Sequence, residues 1–194
     1  MAAGTGVVTL AVGPESVARV DGWGHIMGDA GSGYWIGREA LDAAMRHYDG
    51  RGQATALTDA VKQRWPILSD AYIDLQSSPD RVRIVASFAA VVAELADSGD
   101  AVAQHISDRA AEQLAASALT SLRVVAARDH TLGPVCAIGG VFRSSRLSDT
   151  FRRALEREGS TVVQPFGDGL DGVVTLSSLP EAHPLAAHIH RAAT

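Results

Sequence analysis

The chain has 194 residues, of which 46% are hydrophobic and 20% are charged, a composition typical of a folded protein with one domain and a substantial core. Its formal net charge of -5 and the lack of any basic stripe argue against nucleic acid as a partner. No apolar run reaches the ~20 residues that cross a bilayer, the amino terminus lacks the features of a signal peptide, and the one cysteine, Cys136, excludes a disulfide framework, so we expect no membrane contact and a cytosolic location.

The chain begins with a predicted β-hairpin and a glycine-rich loop. Residues 7–13 are rich in β-branched side chains and stop at a Gly-Pro pair, which predicts a strand, and residues 16–20 are its predicted partner. Residues 21–38 read D-G-W-G-H-I-M-G-D-A-G-S-G-Y-W-I-G-R and contain six glycines. An ordinary helix or strand does not tolerate this density, because each glycine adds backbone entropy that folding must overcome. We therefore expect a loop as far as the start of a helix at Tyr34.

The middle of the chain is predicted to be helical. The helix from Tyr34 ends near Gly50, and two shorter helices are expected over 54–65 and 67–75. Residues 84–95 and the stretch from 102 to about 127 then carry apolar side chains at helical spacing, with Asp100 as a good N-cap for the second. We expect these two long helices to form an antiparallel pair that covers a sheet.

The remainder of the chain returns to an alternating α/β pattern. A serine, Ser144 or Ser145, can cap a helix that ends at Gly159. The other predicted elements are a buried strand at 134–138, a strand at 161–166, and closing helices at 173–179 and 184–193.

Three glycine-bearing turns are candidate binding elements: residues 4–6, the central run, and Gly139-Gly140. Turns that expose backbone N–H groups bind anions well, although each turn alone is more often ordinary turn chemistry. In the central run, glycine allows close backbone approach, Trp23 offers a flat wall, and Asp29 offers a directional acceptor. That combination suits a polar small molecule. The alternatives are a packed structural loop and, for Asp29, a turn-capping aspartate.

These motifs, together with G-G-V-F-R-S at 139–144, resemble the carboxyl-terminal lobe of the BadF/BadG/BcrA/BcrD-type ATPase family, whose best-understood members are N-acetylglucosamine kinases. The resemblance runs along essentially the whole chain. It implies a ribonuclease-H-like α/β lobe of the actin, hexokinase and Hsp70 superfamily, with an inserted helical layer at about 54–127. Residues 1–194 would then be one domain, and the amino-terminal lobe would be absent.

The resemblance also implies roles for individual residues. Thr5 would contact ATP phosphates and Ser144 would belong to the adenosine motif, with Mg²⁺ supplied when the complementary lobe is present. An amino sugar such as N-acetylglucosamine would lie against Gly22 and Trp23, with Asp29 accepting hydrogen bonds from its hydroxyls. The residues so implied in nucleotide binding are Gly4, Thr5, Gly6, Gly139, Gly140 and Ser144.

The chain departs from the family pattern in several places. The family's first lobe supplies a glycine phosphate loop and the catalytic base, and neither has a counterpart in this sequence. Because the chain starts at Gly4-Thr5-Gly6, the strand that leads into this loop is expected to be missing. Val7 replaces the usual serine and Ala30 replaces the usual glutamate. With Asp29 better explained as a sugar ligand, no catalytic residue is predicted.

Three functions remain open from the sequence. The first is one lobe of an amino-sugar kinase, inactive alone, and the second is a non-catalytic sugar- or nucleotide-binding or regulatory lobe. The third, an activator ATPase of a radical enzyme, needs an iron–sulfur cluster on cysteine thiolates, and Cys136 is better explained as a small core side chain. A lobe separated from its partner exposes an apolar surface, so we expect a homodimer or a complementary amino-terminal lobe as partner.

Overall fold

The strands lie towards the two ends of the chain and meet in one mixed sheet. The computed structural model describes residues 1–127, 131–167 and 169–189. The first and third strands pair antiparallel with the second, and the fourth pairs parallel with the fifth. A parallel bridge between Ala2 and Ile138 joins the two groups, so the order across the sheet is β5-β4-β1-β2-β3. The strands are β1 (Ala2–Ala3), β2 (Val7–Val12), β3 (Val17–Val20), β4 (Val135–Cys136) and β5 (Val162–Val163).

Helices make up most of the rest of the described chain. Single 3-10 turns occupy Leu68–Asp70, Gly140–Arg143 and Pro184–His188. No helix in the part of the chain that the structure describes is long and apolar enough to cross a membrane. The α-helices are α1 (Gly24–Met27), α2 (Gly33–Tyr48), α3 (Leu57–Arg64), α4 (Ala71–Ser77), α5 (Arg81–Asp97), α6 (Ala101–Val125), α7 (Ser145–Arg157) and α8 (Gly169–Ser177).

The core lies between the sheet and two layers of helix. Helix α6 packs on β2 and β3, and α5 packs chiefly against α2 and α6. Glycine permits the close crossing of α2 and α5, since a Cβ on Gly37 would overlap the carbonyl oxygen of Val85. On the other side of α6, the guanidinium of Arg146 in α7 donates to both carboxylate oxygens of Asp108 at 2.9 and 2.6 Å. These hydrogen bonds raise the pKa of Arg146 above its usual value, and the ion pair fixes α7 to α6.

Asp100 ties the helical layers together at the corner between α5 and α6. Its carboxylate caps α6 by accepting from the Ala103 amide at 2.9 Å, as predicted for an N-cap. The same carboxylate accepts from the Ala56 amide at 2.8 Å and the Thr55 hydroxyl at 2.9 Å. Burial acts to raise the pKa of Asp100, but these hydrogen bonds outweigh it, so its pKa lies below the usual value.

The structure confirms the predicted hairpin and long helices and corrects several expectations. The strand before residues 4–6 was expected to be missing, but Ala2–Ala3 forms β1 because its backbone pairs with both β2 and Ile138. Of the antiparallel pair, α6 covers the sheet while α5 forms a second layer. The glycine-rich run was predicted as a loop throughout, yet it contains α1. In place of a closing helix at 184–193 there is a 3-10 turn, and residues 190–193 lie outside the described chain.

The face of the sheet that points away from α6 is apolar along β2, with Arg19 of β3 beside Leu10. Strand β2 alternates between buried and exposed side chains. On its outer face Val8, Leu10 and Val12 are 40%, 49% and 43% exposed. Ile138 and Val163 are also exposed. Antiparallel strands with one solvated face usually carry polar side chains on that face, so this surface has the composition of one that is normally covered.

Candidate functional site

A cavity of about 560 Å³ lies where the first turn of the chain meets the helices. This volume is within the ~300–1,000 Å³ range of small-molecule sites. Its lining includes Gly4, Thr5, Gly140 and Ser144, four of the six residues that the sequence motif implied in nucleotide binding. One face of α5 forms a long wall. The structure therefore brings residues from opposite ends of the chain to one cavity, although their function remains a prediction.

The turn at residues 4–6 is fixed by the start of α2. Gly33 donates its N–H to the carbonyl of Gly4 at 2.7 Å, and Tyr34 donates to the carbonyl of Thr5 at 3.0 Å. Both amides would otherwise be free at the helix start. The positive end of the α2 dipole thus lies directly against this turn, and the exposed Thr5 is held at its tip. A negatively charged group in the cavity would be favoured at this end.

The second turn joins the end of β4 to α7. Ala3 donates its N–H to the carbonyl of Ile138 at 2.8 Å. The next residue, Gly139, has a φ of +114°, and a Cβ there would overlap the backbone of Ala3. Ser144 caps α7, because its hydroxyl accepts from the Leu147 amide at 3.4 Å. The proton of that hydroxyl remains available to donate into the cavity.

The glycines of the two turns fall into two classes. Gly6 and Gly139 are required by packing, since a Cβ on Gly6 would lie 2.7 Å from the Asp29 carboxylate and one on Gly139 would overlap Ala3. Gly4 and Gly140 line the cavity, and a Cβ at either would meet no atom within 4 Å. Neither has a positive φ. The fold does not need glycine at these two positions, so the open space beside them is available to a ligand.

The glycine-rich loop is organised by Asp21, which the sequence analysis did not single out. Its carboxylate accepts from the amides of Gly22 at 2.7 Å, Asp29 at 2.8 Å and Ala30 at 3.2 Å. Asp21 and Asp29 both have a backbone φ near +60°, a conformation that aspartate tolerates better than most residues. An aspartate that follows a strand and begins a glycine run is a signal for such a turn, and it could have identified this residue.

Asp29 lies against the first turn and does not cap its own loop. It is 8% exposed, and its Oδ1 accepts from the Val7 amide at 3.3 Å. The proximity of its carboxylate to Gly6 places it beside the turn that carries Thr5. Asp21 caps the glycine-rich loop, while Asp29 accepts from the amide that follows the turn at 4–6, so the sugar-ligand and the turn-capping interpretations of Asp29 both stay predictions.

The other two residues implied in sugar binding lie on the outer part of the loop. Gly22 has a φ of +83° and packs against Val8. Trp23 is 59% exposed, and the guanidinium of Arg19 lies 4.8 Å from its ring centroid. Gly22, Trp23 and Asp29 do not line the 560 Å³ cavity. The two sets of predicted binding residues therefore occupy adjoining but separate places, on either side of the turn at 4–6.

Charged side chains at the cavity are few. Arg83, Glu94 and Arg143 line it, and Arg83 is paired with Asp80 at 2.8 Å. Within residues 1–127, 131–167 and 169–189, no three His, Cys, Asp or Glu side chains are placed to hold a metal ion together. This lining suits Mg²⁺ only as an ion carried mainly by substrate phosphates, which is how Mg²⁺ is commonly bound in phosphoryl-transfer sites.

Comparison with known proteins identifies the family. The family model described as the BadF/BadG/BcrA/BcrD ATPase family matches residues 1–173. The chain belongs to this family. The sequence motifs at 4–6, 22–38 and 139–144 all lie within the matched region, so the resemblance that they suggested is confirmed.

Two curated relatives are sugar kinases. The chain is 32% identical over 155 residues to the N-acetylmuramic acid/N-acetylglucosamine kinase of Clostridium acetobutylicum, which covers 78% of this chain and 51% of that protein. It is 39% identical over 62 residues to the N-acetyl-D-glucosamine kinase of Dictyostelium discoideum, which covers 31% of this chain and 19% of that protein. The chain spans about half the length of the first relative.

Solved structures share the α/β fold. A candidate N-acetylglucosamine kinase from Chromobacterium violaceum superposes with a TM-score of 0.69 at 27% identity, over 90% of this chain and 57% of that one. A second candidate N-acetylglucosamine kinase, from Porphyromonas gingivalis, gives a TM-score of 0.60 at 19% identity over the same shares. The second supports the fold alone.

Proposed function

We propose that this chain is the carboxyl-terminal lobe of an ATP-dependent amino-sugar kinase, with N-acetylglucosamine as the substrate class. Residues 1–194 would form one ribonuclease-H-like domain with a helical insertion at about 54–127. The strand order β5-β4-β1-β2-β3, with three antiparallel strands followed by two parallel ones, supports this assignment. The kinase relatives support the substrate class.

The observation that carries the proposal is the pair of open glycines in the cavity. Gly4 and Gly140 belong to the two turns of the nucleotide motif, they line one space, and the fold itself does not require glycine at either. ATP would place its phosphates against residues 4–6 and the start of α2, where the positive end of the helix dipole favours negative charge. The adenosine would lie near Gly140 and Ser144.

The sugar would lie on the other side of the same turn. Asp29 would accept hydrogen bonds from sugar hydroxyls, while Gly22 and Trp23 would line the site. In the reaction, a sugar hydroxyl oxygen bonds to the γ-phosphorus, the bond to the β–γ bridging oxygen breaks, and ADP leaves. The hydroxyl proton passes to a general base, which we place in the part of the longer relatives that this chain does not match. Mg²⁺ bound to the phosphates would neutralise the charge that develops on them.

Titration of the ¹⁵N-labelled chain with MgATP, followed by amide chemical shifts, tests the nucleotide half. We expect shifts at residues 4–6 and at the start of α7. Gly140→Ala should weaken binding, because its new methyl group enters the cavity. Gly172→Ala is the matched control, since a Cβ there also meets nothing within 4 Å and Gly172 does not line the cavity. Equal affinity in both variants would contradict the assignment.

Titration with N-acetylglucosamine tests the sugar half separately. We expect amide chemical-shift changes in the glycine-rich loop that vanish in Asp29→Ala and persist in Asp42→Ala, a control that removes an exposed carboxylate paired with Arg46.

The purified chain should show negligible kinase activity. Robust turnover would refute the inference that the base lies elsewhere, and no response to any amino sugar would refute the sugar site.

A non-catalytic binding or regulatory lobe is the second candidate, favoured by the absence of any motif for a catalytic base in the sequence. It predicts the same chemical-shift changes on titration with MgATP and N-acetylglucosamine. It also predicts that no phosphoryl group is transferred when the amino-terminal lobe is added. The activator ATPase, whose iron–sulfur cluster would be held by thiolates from two subunits, remains a lesser alternative, because the one cysteine, Cys136, is half-buried in β4 and is better explained as a small packing side chain. Iron in the purified protein would favour that alternative.

The partners of the chain belong to the same proposal. The exposed apolar side chains on the outer face of the sheet support either a second copy or a complementary amino-terminal lobe as the molecule that covers them. Sedimentation at increasing concentration separates these cases, because only a homodimer forms from the chain alone.

We place the protein in the cytosol, where ATP is available, and cell fractionation tests this location.

A further inference from the structure

One wall of the cavity carries a serine whose hydroxyl has no hydrogen-bond partner in the described chain. Ser107 lies on α6, is 2% exposed and lines the cavity. Its hydroxyl makes no hydrogen bond to any residue in the described part of the chain. Other buried serines do, since the Ser121 hydroxyl donates to the Ala118 carbonyl at 2.7 Å and that of Ser160 to the Gly133 carbonyl at 2.8 Å. Among the described residues Thr9 Oγ1, and not Ser107 Oγ, is the fully enclosed side-chain atom without a partner, so the Ser107 hydroxyl opens into the cavity and can donate to a ligand there.

Ser107 lies at the end of the cavity away from the phosphate-binding turn. That turn approaches α5 near Ala86, whose carbonyl is 3.6 Å from a Cβ built on Gly33. Helices α5 and α6 are antiparallel and join at residues 98–100. Ser107, early in α6, therefore lies towards the carboxyl end of α5. Glu94, about two turns beyond Ala86, lines the cavity at this same end.

These positions give the cavity two chemically different ends. The first end offers the positive end of the α2 dipole, with Arg83 about one turn before Ala86. The second offers a carboxylate, Glu94, and the hydroxyl of Ser107, and Arg143, next to Ser144 in the chain, also lines the cavity. A nucleoside triphosphate has the same division, with an anionic chain at one end and a hydrogen-bonding base at the other.

We propose that Ser107 and Glu94 contact the nucleobase and select adenine over guanine. This inference rests on the proposed nucleotide site. Both bases present an acceptor at N7, but adenine carries an amino donor where guanine carries a carbonyl oxygen. A hydroxyl can donate to N7 of either base, while a carboxylate only accepts. Glu94 would accept a hydrogen bond from the adenine amino group and would repel the guanine oxygen. Discrimination between the two bases therefore comes from Glu94, while Ser107 adds affinity for either base.

Isothermal titration of the full chain with MgATP and MgGTP measures this selectivity. We expect the wild type to prefer ATP. Ser107→Ala should weaken both nucleotides by roughly three- to tenfold, the value of one hydrogen bond. Glu94→Gln should narrow the preference for ATP by about tenfold, because an amide can donate to the guanine oxygen. Affinity for tripolyphosphate should be unchanged in both variants, since the phosphates lie at the other end.

Ser121→Ala is the matched control on the same helix. It removes a buried hydroxyl that is already bonded within the protein, so it should lower the melting temperature and leave nucleotide affinity unchanged. Ser107→Ala should not lower the melting temperature, because its hydroxyl has no partner in the described chain to lose. This opposite pattern separates ligand contact from a structural role.

Each contrary result has a distinct meaning. If the wild type binds neither nucleotide at millimolar concentration, the proposed function fails and this inference fails with it. If ATP binds but Ser107→Ala and Glu94→Gln leave the ATP-to-GTP ratio and both affinities unchanged, only the base-reading inference is overturned. If 2′-deoxy-ATP binds the wild type as weakly as ATP binds Ser107→Ala, Ser107 contacts the ribose, and the base-reading inference is again overturned.

Discussion

The cavity and the glycine-rich loop are neighbours that are built in different ways. The cavity is assembled from residues far apart in the chain, with Gly4, Ser107 and Gly140 brought together by the packing of helices on a sheet. The loop is shaped locally, because three of its amides donate to the one carboxylate of Asp21 within a span of nine residues. One region depends on the whole core, and the other on a single side chain.

This difference determines how each region responds to mutation. Disturbing the cavity requires either a clash in the fold or the loss of a group that faces the ligand. Disturbing the loop requires only the removal of its acceptor, because three partly buried amides then lose their charged partner. If the regions are as independent as their construction indicates, variants should damage one and spare the other.

The largest expected effect comes from Gly139→Ala. The new methyl group would overlap the Ala3 backbone at a φ of +114°, which strains both β1 and the turn, so we expect a loss of at least about 3 kcal/mol of unfolding free energy. Gly140→Ala, one residue on, should change stability by less than about 0.5 kcal/mol and act on nucleotide affinity instead. Chemical denaturation measures the first and nucleotide titration the second. Similar stability of the two variants would contradict this account of the turn.

Asp21→Ala should have the next largest effect, confined to the loop. Loss of a charged acceptor for three partly buried amides should cost about 2–3 kcal/mol. Asp21→Asn keeps one acceptor oxygen and tolerates a positive φ, so it should lose less unfolding free energy than Asp21→Ala. Amide chemical shifts should change across residues 21–31 and remain unchanged at the start of α7. Equal changes in both places would show that the loop and the cavity are not independent.

What could be predicted from the sequence follows the same division between local and non-local structure. The hairpin, the long helices and the cap at Asp100 are encoded by side chains close together in the chain, and all three are confirmed. Strand β1 was missed because two alanines carry no strand signal, and they become a strand only by pairing with β2 and with Ile138.

The candidate site could be predicted only in part, for the same reason. The turns with Gly4 and Gly140 stand out as motifs, whereas Ser107 lies on an amphipathic helix whose pattern indicates only core packing. Its position in the cavity depends on how α6 packs against the sheet and the other helices, which spacing along the chain does not reveal. Asp21 was overlooked although its position before a glycine run is a local signal.

The smallest of these effects concerns the helical wall of the cavity, and it depends on pH. Asp100→Ala removes the cap of α6 and the link to Ala56, so at pH 7 it should cost about 1–2 kcal/mol. Because the folded pKa of Asp100 is lowered from its ordinary value of 3.8, its stabilisation is present in full above that value. It is lost as the pH falls through the lower folded value. The difference in unfolding free energy between wild type and variant should therefore be constant from pH 7 to about 5 and shrink below about 4.

Asp80 provides the matched control, because it occupies the N-cap position of α5 without accepting a capping hydrogen bond. Its carboxylate pairs only with the exposed Arg83 in the described chain, and such pairs contribute little. Asp80→Ala should thus be clearly milder than Asp100→Ala at pH 7. An equal loss in the two variants would mean that the corner between α5 and α6 does not depend on the Asp100 carboxylate. The cavity wall would then rest on apolar packing alone, and the contrast with the loop, which depends on the single carboxylate of Asp21, would become sharper.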